Sequence, residues 1–253
     1  PFFMTMIAEI AEQLREKGYN TLLSRERLTT SRSFLNSQTC QGSDGVIFIG
    51  QGRHHDVLNE LAAAGLSMVV WGAELPDRAY PLVGSDNELG GYLACRHLIS
   101  RGCQRIGFMG DLDYPEPQLR YSGYIRALKE AGYATKLLAV EPSVPFDPSA
   151  ARRAMRDYLA RHHLDGLLCC SDIIAISAIS LLQELGKRVP EDVCVIGYDN
   201  LPLAEITHPA LTSIDQNVAW GAKQLCDSLF SHVNGLNCND HLASAKLVTR
   251  ASA

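Results

Sequence analysis

The sequence lacks any apolar run of the roughly 18 to 20 residues that a membrane-spanning helix requires. It also lacks an excess of positive charge, because 23 Lys and Arg stand against 28 Asp and Glu, for a formal net charge of −5 and a pI of about 5.9. Phosphate contacts need clustered Lys and Arg, so this balance argues against nucleic-acid binding by these residues themselves. We expect a soluble domain with no membrane partner.

The motifs of metal, phosphate and hydrolytic chemistry are missing too. His54-His55 and His162-His163 are adjacent pairs whose side chains would diverge, and there is no His-Glu-x-x-His or Cys-x-x-Cys. Gly50-Gln51-Gly52 lacks a third glycine, and neither Gly-Lys-Ser/Thr nor Gly-x-Ser-x-Gly occurs. We therefore expect no metal, no cofactor and no enzymatic activity. An α/β enzyme acting on a small metabolite remains the alternative, although no catalytic pair is visible.

The eight cysteines are scattered, and most lie in apolar stretches where a free thiol behaves as a small hydrophobic group. Their even number would allow disulfides, but a chain of 253 residues rarely needs them for stability. The pattern predicts reduced thiols and a cytoplasmic protein.

Strand-like and helix-like segments alternate along the chain. Short apolar runs predict strands at residues 19–23, 45–49, 67–71, 105–109, 137–140, 166–170, 193–196 and 247–249, with helical patterns between most of them. This alternation predicts parallel sheets covered by helices on both faces. The alternation restarts near residue 118, and 253 residues suffice for two medium domains.

One strand places a carboxylate where a ligand would bind. Residues 193–196 form an unbroken apolar run, Gly197 ends it, and Asp199 follows just past its carboxyl end. Ligands of open parallel sheets bind outside these strand ends. A carboxylate there can accept hydrogen bonds from sugar hydroxyls or from the N–H groups of a purine. The alternative is that Asp199 caps the next helix or closes a turn.

Four segments resemble the lactose/galactose-repressor family of bacterial transcription regulators. They are LGKRVPEDV followed by IGYDN at 185–200, PALTSIDQ at 209–216, the segment from Asp86-Asn87 through His97 to Gly102, and RYSGY at 120–124. The segments occur in the family's order and cover nearly the whole chain.

The resemblance implies two Rossmann-like lobes with the ligand in the cleft between them. The chain would cross between lobes near residues 110–113, 215–217 and 242–246, which makes three hinge crossovers. One lobe would contain residues 1–111 and 217–243, and the other residues 112–216 and 244–253. The family has a strand before the equivalent of Pro1-Phe2-Phe3, and a DNA-binding helix-turn-helix before that, so we expect the natural chain to extend upstream.

Candidate ligand contacts follow from matching the family's motifs. Arg120 begins the Arg-x-x-Gly-aromatic motif, and its planar guanidinium suits ring oxygens or a purine carbonyl. The alternative is that Arg120 forms a salt bridge at the surface. The aromatic candidates, which would pack against the ligand, are Phe2, Phe3, Phe146 and Trp71, and the alternative for them is core packing. The polar candidates at strand ends or crossovers are Ser171, Asp172 and Gln216.

The function implied by the resemblance is that of an effector-sensing core of a repressor. A small molecule, a sugar first and a purine as the alternative, would alter the affinity for operator DNA bound by a helix-turn-helix outside these residues. The rival is a periplasmic sugar-binding protein for transport. The eight cysteines and the repressor-like 189–200 segment argue against that rival.

A homodimer is expected from one unusual helix. Residues 173–182 are apolar almost all round, whereas a helix on the outside of a lobe should have a polar stripe. A second subunit covering this helix would explain the pattern, and deep burial within its own lobe is the alternative.

Overall fold

A computed structural model of the protein describes residues 1–25, 28–133, 140–141, 148–236 and 238–253. The helices are α1 (Phe2–Glu16), α2 (Ser31–Leu35), α3 (Gln38–Gln41), α4 (His55–Ala63), α5 (Asn87–Ser100), α6 (Pro115–Glu130), α7 (Pro148–Arg161), α8 (Asp172–Glu184), α9 (Leu203–Ile206) and α10 (Val218–Val233). The strands are β1 (Val46–Ile49), β2 (Met68–Trp71), β3 (Leu82–Ser85), β4 (Ile106–Met109), β5 (Val140–Glu141), β6 (Gly166–Cys169), β7 (Cys194–Asp199), β8 (Thr212–Asp215), β9 (His241–Ala243) and β10 (Lys246–Val248).

The chain forms two compact units. The N-terminal unit comprises Phe2–Ser85 and Asn217–Ala243, and the C-terminal unit comprises Asp86–Gln216 and Ser244–Ala253. Each unit has its own sheet and its own buried apolar cluster. The predicted α/β class, with mostly parallel sheets flanked by helices, is confirmed.

The N-terminal unit is built on a four-stranded parallel sheet in the order β1-β2-β3-β9. Helix α1 buries Met6, Ile10 and Leu14 against a cluster that includes Leu225 and Leu229 of α10. These three residues of α1 are spaced four apart, so they share one face of the helix. Their burial accounts for the helical pattern at the start of the sequence.

The C-terminal unit contains a six-stranded sheet in the order β10-β8-β7-β6-β4-β5, in which only β10 is antiparallel to its neighbour. Strand β7 lies inside this sheet, and all six of its residues are buried. A strand covered on both faces must be apolar throughout, which explains the unbroken run that ends before Gly197.

The first crossing between units differs from the predicted one near residues 110–113. Strand β4 pairs with β6 of the C-terminal unit, and α5 packs against α6, so the chain crosses at Ser85–Asp86. Residues 86–111 therefore belong to the C-terminal unit. The alternation of apolar runs indicates that a strand forms but not which sheet it joins. The other two crossings lie at Gln216–Asn217 and Ala243–Ser244.

Helix α8 is apolar because its own unit buries it. Ile174, Ala175 and Ala178 are at most 1% exposed, and the helix packs against α7, β6 and β7. Burial within its own unit, the alternative explanation, therefore accounts for most of the apolar residues of α8, and the homodimer stays a prediction. A helix packed between a sheet and another helix needs no polar stripe along most of its surface.

Two further predicted strands have different outcomes. Residues 19–23 form no strand, and Leu22 and Leu23 are 65% and 58% exposed, so the apolar side chains of this segment are not packed in a core. The predicted strand at 137–140 lies, except for its last residue, outside the described residues.

All eight cysteines are free thiols, and all but Cys238 are buried. Burial raises the pKa of Cys95 to about 12 and that of Cys226 to about 11. None of the described helices is both long enough and apolar enough to span a bilayer. Among the same residues, no group of three or more His, Cys, Asp or Glu side chains could hold a metal ion.

Candidate ligand-binding site

Asp199 ends β7 in a backbone conformation that few residues other than glycine adopt. Its φ is +117° and that of Asn200 is +51°, and such positions cost about 1 to 3 kcal/mol unless the surroundings enforce them. Here the backbone N–H of Asn200 donates to Oγ of Ser213 (3.1 Å), and Oδ1 of Asn200 accepts from Nη2 of Arg250 (2.8 Å). Helix α9 begins after Pro202 with no side-chain cap, so Asp199 is not a capping residue.

Arg120 is buried on α6, with 6% of its surface exposed. Its Nε donates to Oδ1 of Asn87 (2.8 Å) and its Nη1 to the carbonyl of Cys170 (2.5 Å). The guanidinium carbon lies 3.7 Å from the centroid of the Tyr198 ring, a cation–π contact. The alternative of a surface salt bridge is therefore excluded, and the guanidinium is held in one orientation beside the residue that precedes Asp199.

Gln216 joins this group from the next strand. Its Nε2 donates to Oδ1 of Asp199 at 2.7 Å, and only 2% of its surface is exposed. The parallel pairing of β7 with β8 places Asp199 opposite Asp215, so Gln216 is the next residue along the edge. The structure thus brings together Asp199 and Gln216, two of the predicted site residues, at the carboxyl end of the sheet.

The carboxyl of Asp199 is hard to ionise where it lies. Burial raises the pKa of Asp199 to about 8, although Arg120 and the hydrogen bond from Gln216 act in the opposite direction and Asp172 adds to the rise. A carboxyl with its pKa near neutrality can serve as a hydrogen-bond acceptor or, when protonated, as a donor. Both forms suit a ligand whose hydroxyl or ring N–H groups take part in several hydrogen bonds.

The raised pKa of Asp199 predicts a pH-dependent cost to folding. The folded state holds a proton more tightly than the unfolded chain, whose Asp pKa is about 4, so this contribution is present below about pH 4 and is lost as pH rises through about 8. Urea denaturation should show wild type losing stability relative to Asp199→Asn between pH 5 and pH 8. A difference that stays constant across that range would contradict the environment described for Asp199.

Ser171 and Asp172, both predicted as polar ligand contacts, have structural partners. Oγ of Ser171 accepts from the backbone N–H of Ile174 (3.3 Å) and caps α8. Oδ1 of Asp172 accepts from Oγ of Ser213 (2.5 Å), and Oδ2 accepts from the N–H of Leu201 (2.7 Å). The two bonds of Asp172 hold Ser213 and the segment that follows Asp199, while ligand contact by Ser171 and Asp172 stays a prediction.

The predicted aromatic residues of the N-terminal unit divide between core and surface. Trp71 is 4% exposed and fits so closely to Gly221 of α10 that a Cβ there would lie 2.3 Å from its ring. The ring centroids of Phe2 and Trp71 lie 6.1 Å apart, and Phe2 packs on the same buried cluster. Phe3 is 51% exposed beside Gly50, just past the end of β1, and is the aromatic candidate that remains accessible. Phe146 lies outside the described residues.

The sequence did not identify the partners that orient Arg120. Asn87, 33 positions away along the chain, accepts from its Nε, and the ring of Tyr198 lies against its guanidinium. Asn87 had been noted within one of the family-like segments, and Tyr198 within another. Neither segment could show that the two converge on one guanidinium, because pairing across separate elements leaves no local pattern.

Comparison with known proteins agrees with the fold. Residues 95–253 match the family of periplasmic binding protein-like domains. The chain is 31% identical over 246 residues, covering 92% of it and 71% of the relative, to a protein named HTH-type transcriptional repressor PurR from Pasteurella multocida.

Two solved structures have the same fold. The transcriptional regulator CelR, in complex with cellobiose, has a TM-score of 0.86 and 27% identity, covering 100% of this chain and 79% of that one. A LacI family transcriptional regulator from Enterococcus faecium with bound ribose has a TM-score of 0.88 and 26% identity, covering 100% and 94%. The fold and the site thus define a periplasmic-binding-protein-like core. The chain belongs to the LacI family of transcriptional regulators.

Proposed function

We propose that this chain is the effector-binding core of a repressor and that a small polar molecule binds at Asp199 and Arg120. The observation that carries the proposal is the burial of an acidic and a basic side chain near the carboxyl edge of the parallel strands of the C-terminal sheet. Their exposed fractions are 7% and 6%, and both side chains are already oriented by hydrogen bonds. Burying and orienting such groups costs free energy, and a ligand that forms hydrogen bonds to both would offset that cost. The predicted position of the ligand between the lobes stays a prediction.

A sugar is the first candidate ligand. Two similar solved structures contain cellobiose and ribose, and adjacent sugar hydroxyls suit a carboxylate that accepts two hydrogen bonds. Gln216 supplies only one of the roughly four hydrogen bonds that the Asp199 carboxylate can accept.

A purine is the second candidate. The guanidinium carbon of Arg120 lies 3.7 Å from the centroid of the Tyr198 ring, and a planar guanidinium held in place suits a hydrogen bond to a ring carbonyl. A purine ring N–H would then reach the carboxylate of Asp199.

Regulation would proceed through a DNA-binding segment outside these residues. The relative from Pasteurella is named as an HTH-type repressor and is longer than this chain, which covers 71% of it. Ligand binding would shift the populations of two arrangements of the protein and change operator affinity by about 1 to 3 kcal/mol. We propose no catalytic step and a cytoplasmic location. The named relatives are transcriptional regulators, so they give no support to the alternative of a periplasmic sugar-binding protein for transport.

A homodimer would set the spacing of two DNA-binding heads on two half-sites. Because most of α8 is covered by its own unit, other apolar surface would contribute to a dimer. Helix α9 offers Ile206 and Leu203, which are 78% and 42% exposed. A monomer mass that is independent of concentration in light scattering would contradict the dimer.

The experiment is a thermal-shift screen against ribose, cellobiose, other mono- and disaccharides, sugar phosphates, hypoxanthine and guanine. A ligand that binds only the folded state adds about 2.7 kcal/mol of stability at a concentration one hundred times its Kd. We expect one class to raise the melting temperature by several degrees, which would identify the effector class. The absence of any shift from the whole panel would count against effector binding at this site.

A further inference from the structure

Both charged residues of the site are held by amide side chains that lie where the chain passes between the units. Asn87, which holds Arg120, is the second residue after the crossing at Ser85–Asp86. Gln216, which holds Asp199, is the last residue before the crossing to Asn217. Two of the three crossings are therefore one hydrogen bond away from a candidate ligand contact.

The connection from Asn87 to Arg120 is stiff. Asn87 is 3% exposed, begins α5, and follows Asp86, whose side chain caps that helix by accepting from the N–H of Leu89 (2.8 Å). Helices α5 and α6 touch backbone to backbone, since a Cβ on Gly91 would lie 1.9 Å from the carbonyl oxygen of Arg120. Arg120 therefore cannot shift without moving α5 or breaking the bond to Asn87.

Gln216 connects Asp199 to the second crossing through a single hydrogen bond. The side chain of Gln216 reaches back to Asp199, while its backbone leads into Asn217, which has a φ of +55°. Asn adopts this left-handed region more readily than most residues with a side chain. A displacement of Asp199 would therefore act on the backbone at this crossing through Gln216, the residue before Asn217.

We propose that Asn87 and Gln216 are positioning residues that link the ligand-binding pair Arg120 and Asp199 to the two crossings. Breaking either buried hydrogen bond costs free energy, so the position of each amide is coupled to that of the side chain that it holds. Ligand bound to Arg120 and Asp199 would then bias the backbone at both crossings. This inference rests on the proposed function for its biological meaning, but the coupling itself is measurable without a ligand.

The test uses carbon-13 NMR to follow the titration of the Asp199 carboxyl, assigned by its loss in Asp199→Asn. In Gln216→Ala the lost hydrogen bond, and in Asn87→Ala the released Arg120, should each raise the pKa of Asp199 further, by about 0.5 to 1 unit. The matched control is Gln183→Ala, which removes an amide of the same unit that donates to the carbonyl of His208 (2.8 Å). That control should titrate as wild type. Melting temperatures show that each variant is folded.

The coupling of Asp199 through Gln216 to the crossing at Asn217 is measured separately. In wild type the backbone amide shift of Asn217 should follow the Asp199 titration, and in Gln216→Ala it should lose that dependence. An unchanged Asp199 titration in both amide variants, or an Asn217 shift that follows pH equally with and without Gln216, would overturn the proposal. Failure of ribose, cellobiose, hypoxanthine and guanine to bind wild type would instead count against the proposed function, and the NMR result would still decide the role of the amides.

Discussion

Replacing Asp199 by alanine is expected to abolish binding of the effector identified by the thermal-shift screen. The carboxylate lies buried beside Gln216, and a ligand that donates two hydrogen bonds to it would lose both. Hydrogen bonds to a charged group contribute about 1.5 to 3 kcal/mol each, so affinity should fall at least a hundredfold, or about 3 kcal/mol. Isothermal titration calorimetry at pH 9, above the pKa of about 8 of Asp199, measures the loss with the carboxyl ionised.

Two comparisons make this result specific to the site. Asp199→Asn keeps the shape of the side chain and can still accept from Gln216, so it separates loss of charge from loss of packing. Asp192→Asn changes a carboxylate of the same unit that pairs with Arg188, and it should bind as wild type. Undiminished affinity in Asp199→Ala would remove Asp199 from the site and with it the main support for the proposed function.

Replacing Gly91 by alanine is expected to cause the largest loss of stability. The new Cβ would lie 1.9 Å from the carbonyl oxygen of Arg120, and on the facing helix Gly123 has the same relation to the carbonyl of Glu88. Neither obstacle is a flexible side chain, so α5 and α6 would have to separate. We expect a loss of about 3 kcal/mol or more in the free energy of unfolding, at the upper end of what overpacking costs.

The control for this substitution lies on the same pair of helices. Ser122→Ala, next to Gly123, removes only a hydroxyl that bonds to the carbonyl of Gln118 (3.1 Å) one turn earlier, so it should change stability by less than about 1 kcal/mol. Urea denaturation compares the two. Equal midpoints for Gly91→Ala and wild type would mean that the two helices do not meet through these glycines. Because Arg120 supplies the obstructing carbonyl, a folded Gly91→Ala should also bind effector more weakly.

The sequence was sufficient where local pattern and chemistry coincide. Strand β7 is predicted by its apolar run, and the position of Asp199 follows from the rule that ligands bind at carboxyl ends of parallel strands. Partners that are distant along the chain could not be predicted in this way. The hydrogen bond that Asp172 accepts from Ser213, 41 positions later, is one such partner, and ligand contact by Asp172 stays a prediction.

The same limit applies to the misassigned segment 86–111 and to helix α8. An apolar strand such as β4 fits either parallel sheet, and the pairing with β6 that decides its place depends on tertiary structure. An apolar helix such as α8 can be buried by its own sheet or by a second subunit, and the sequence pattern of the two cases is identical.

The distribution of buried thiols gives each unit its own internal reporter of transient opening. Cys40 and Cys226 are buried in the N-terminal unit, and Cys95, Cys103, Cys169, Cys170 and Cys194 in the C-terminal unit. A buried thiol reacts with an alkylating reagent only when its surroundings open, so pulsed alkylation followed by peptide mass spectrometry would yield opening free energies for the two units from the same sample. Effector bound to Arg120 and Asp199 should slow alkylation of the five buried cysteines of the C-terminal unit in the unmodified protein.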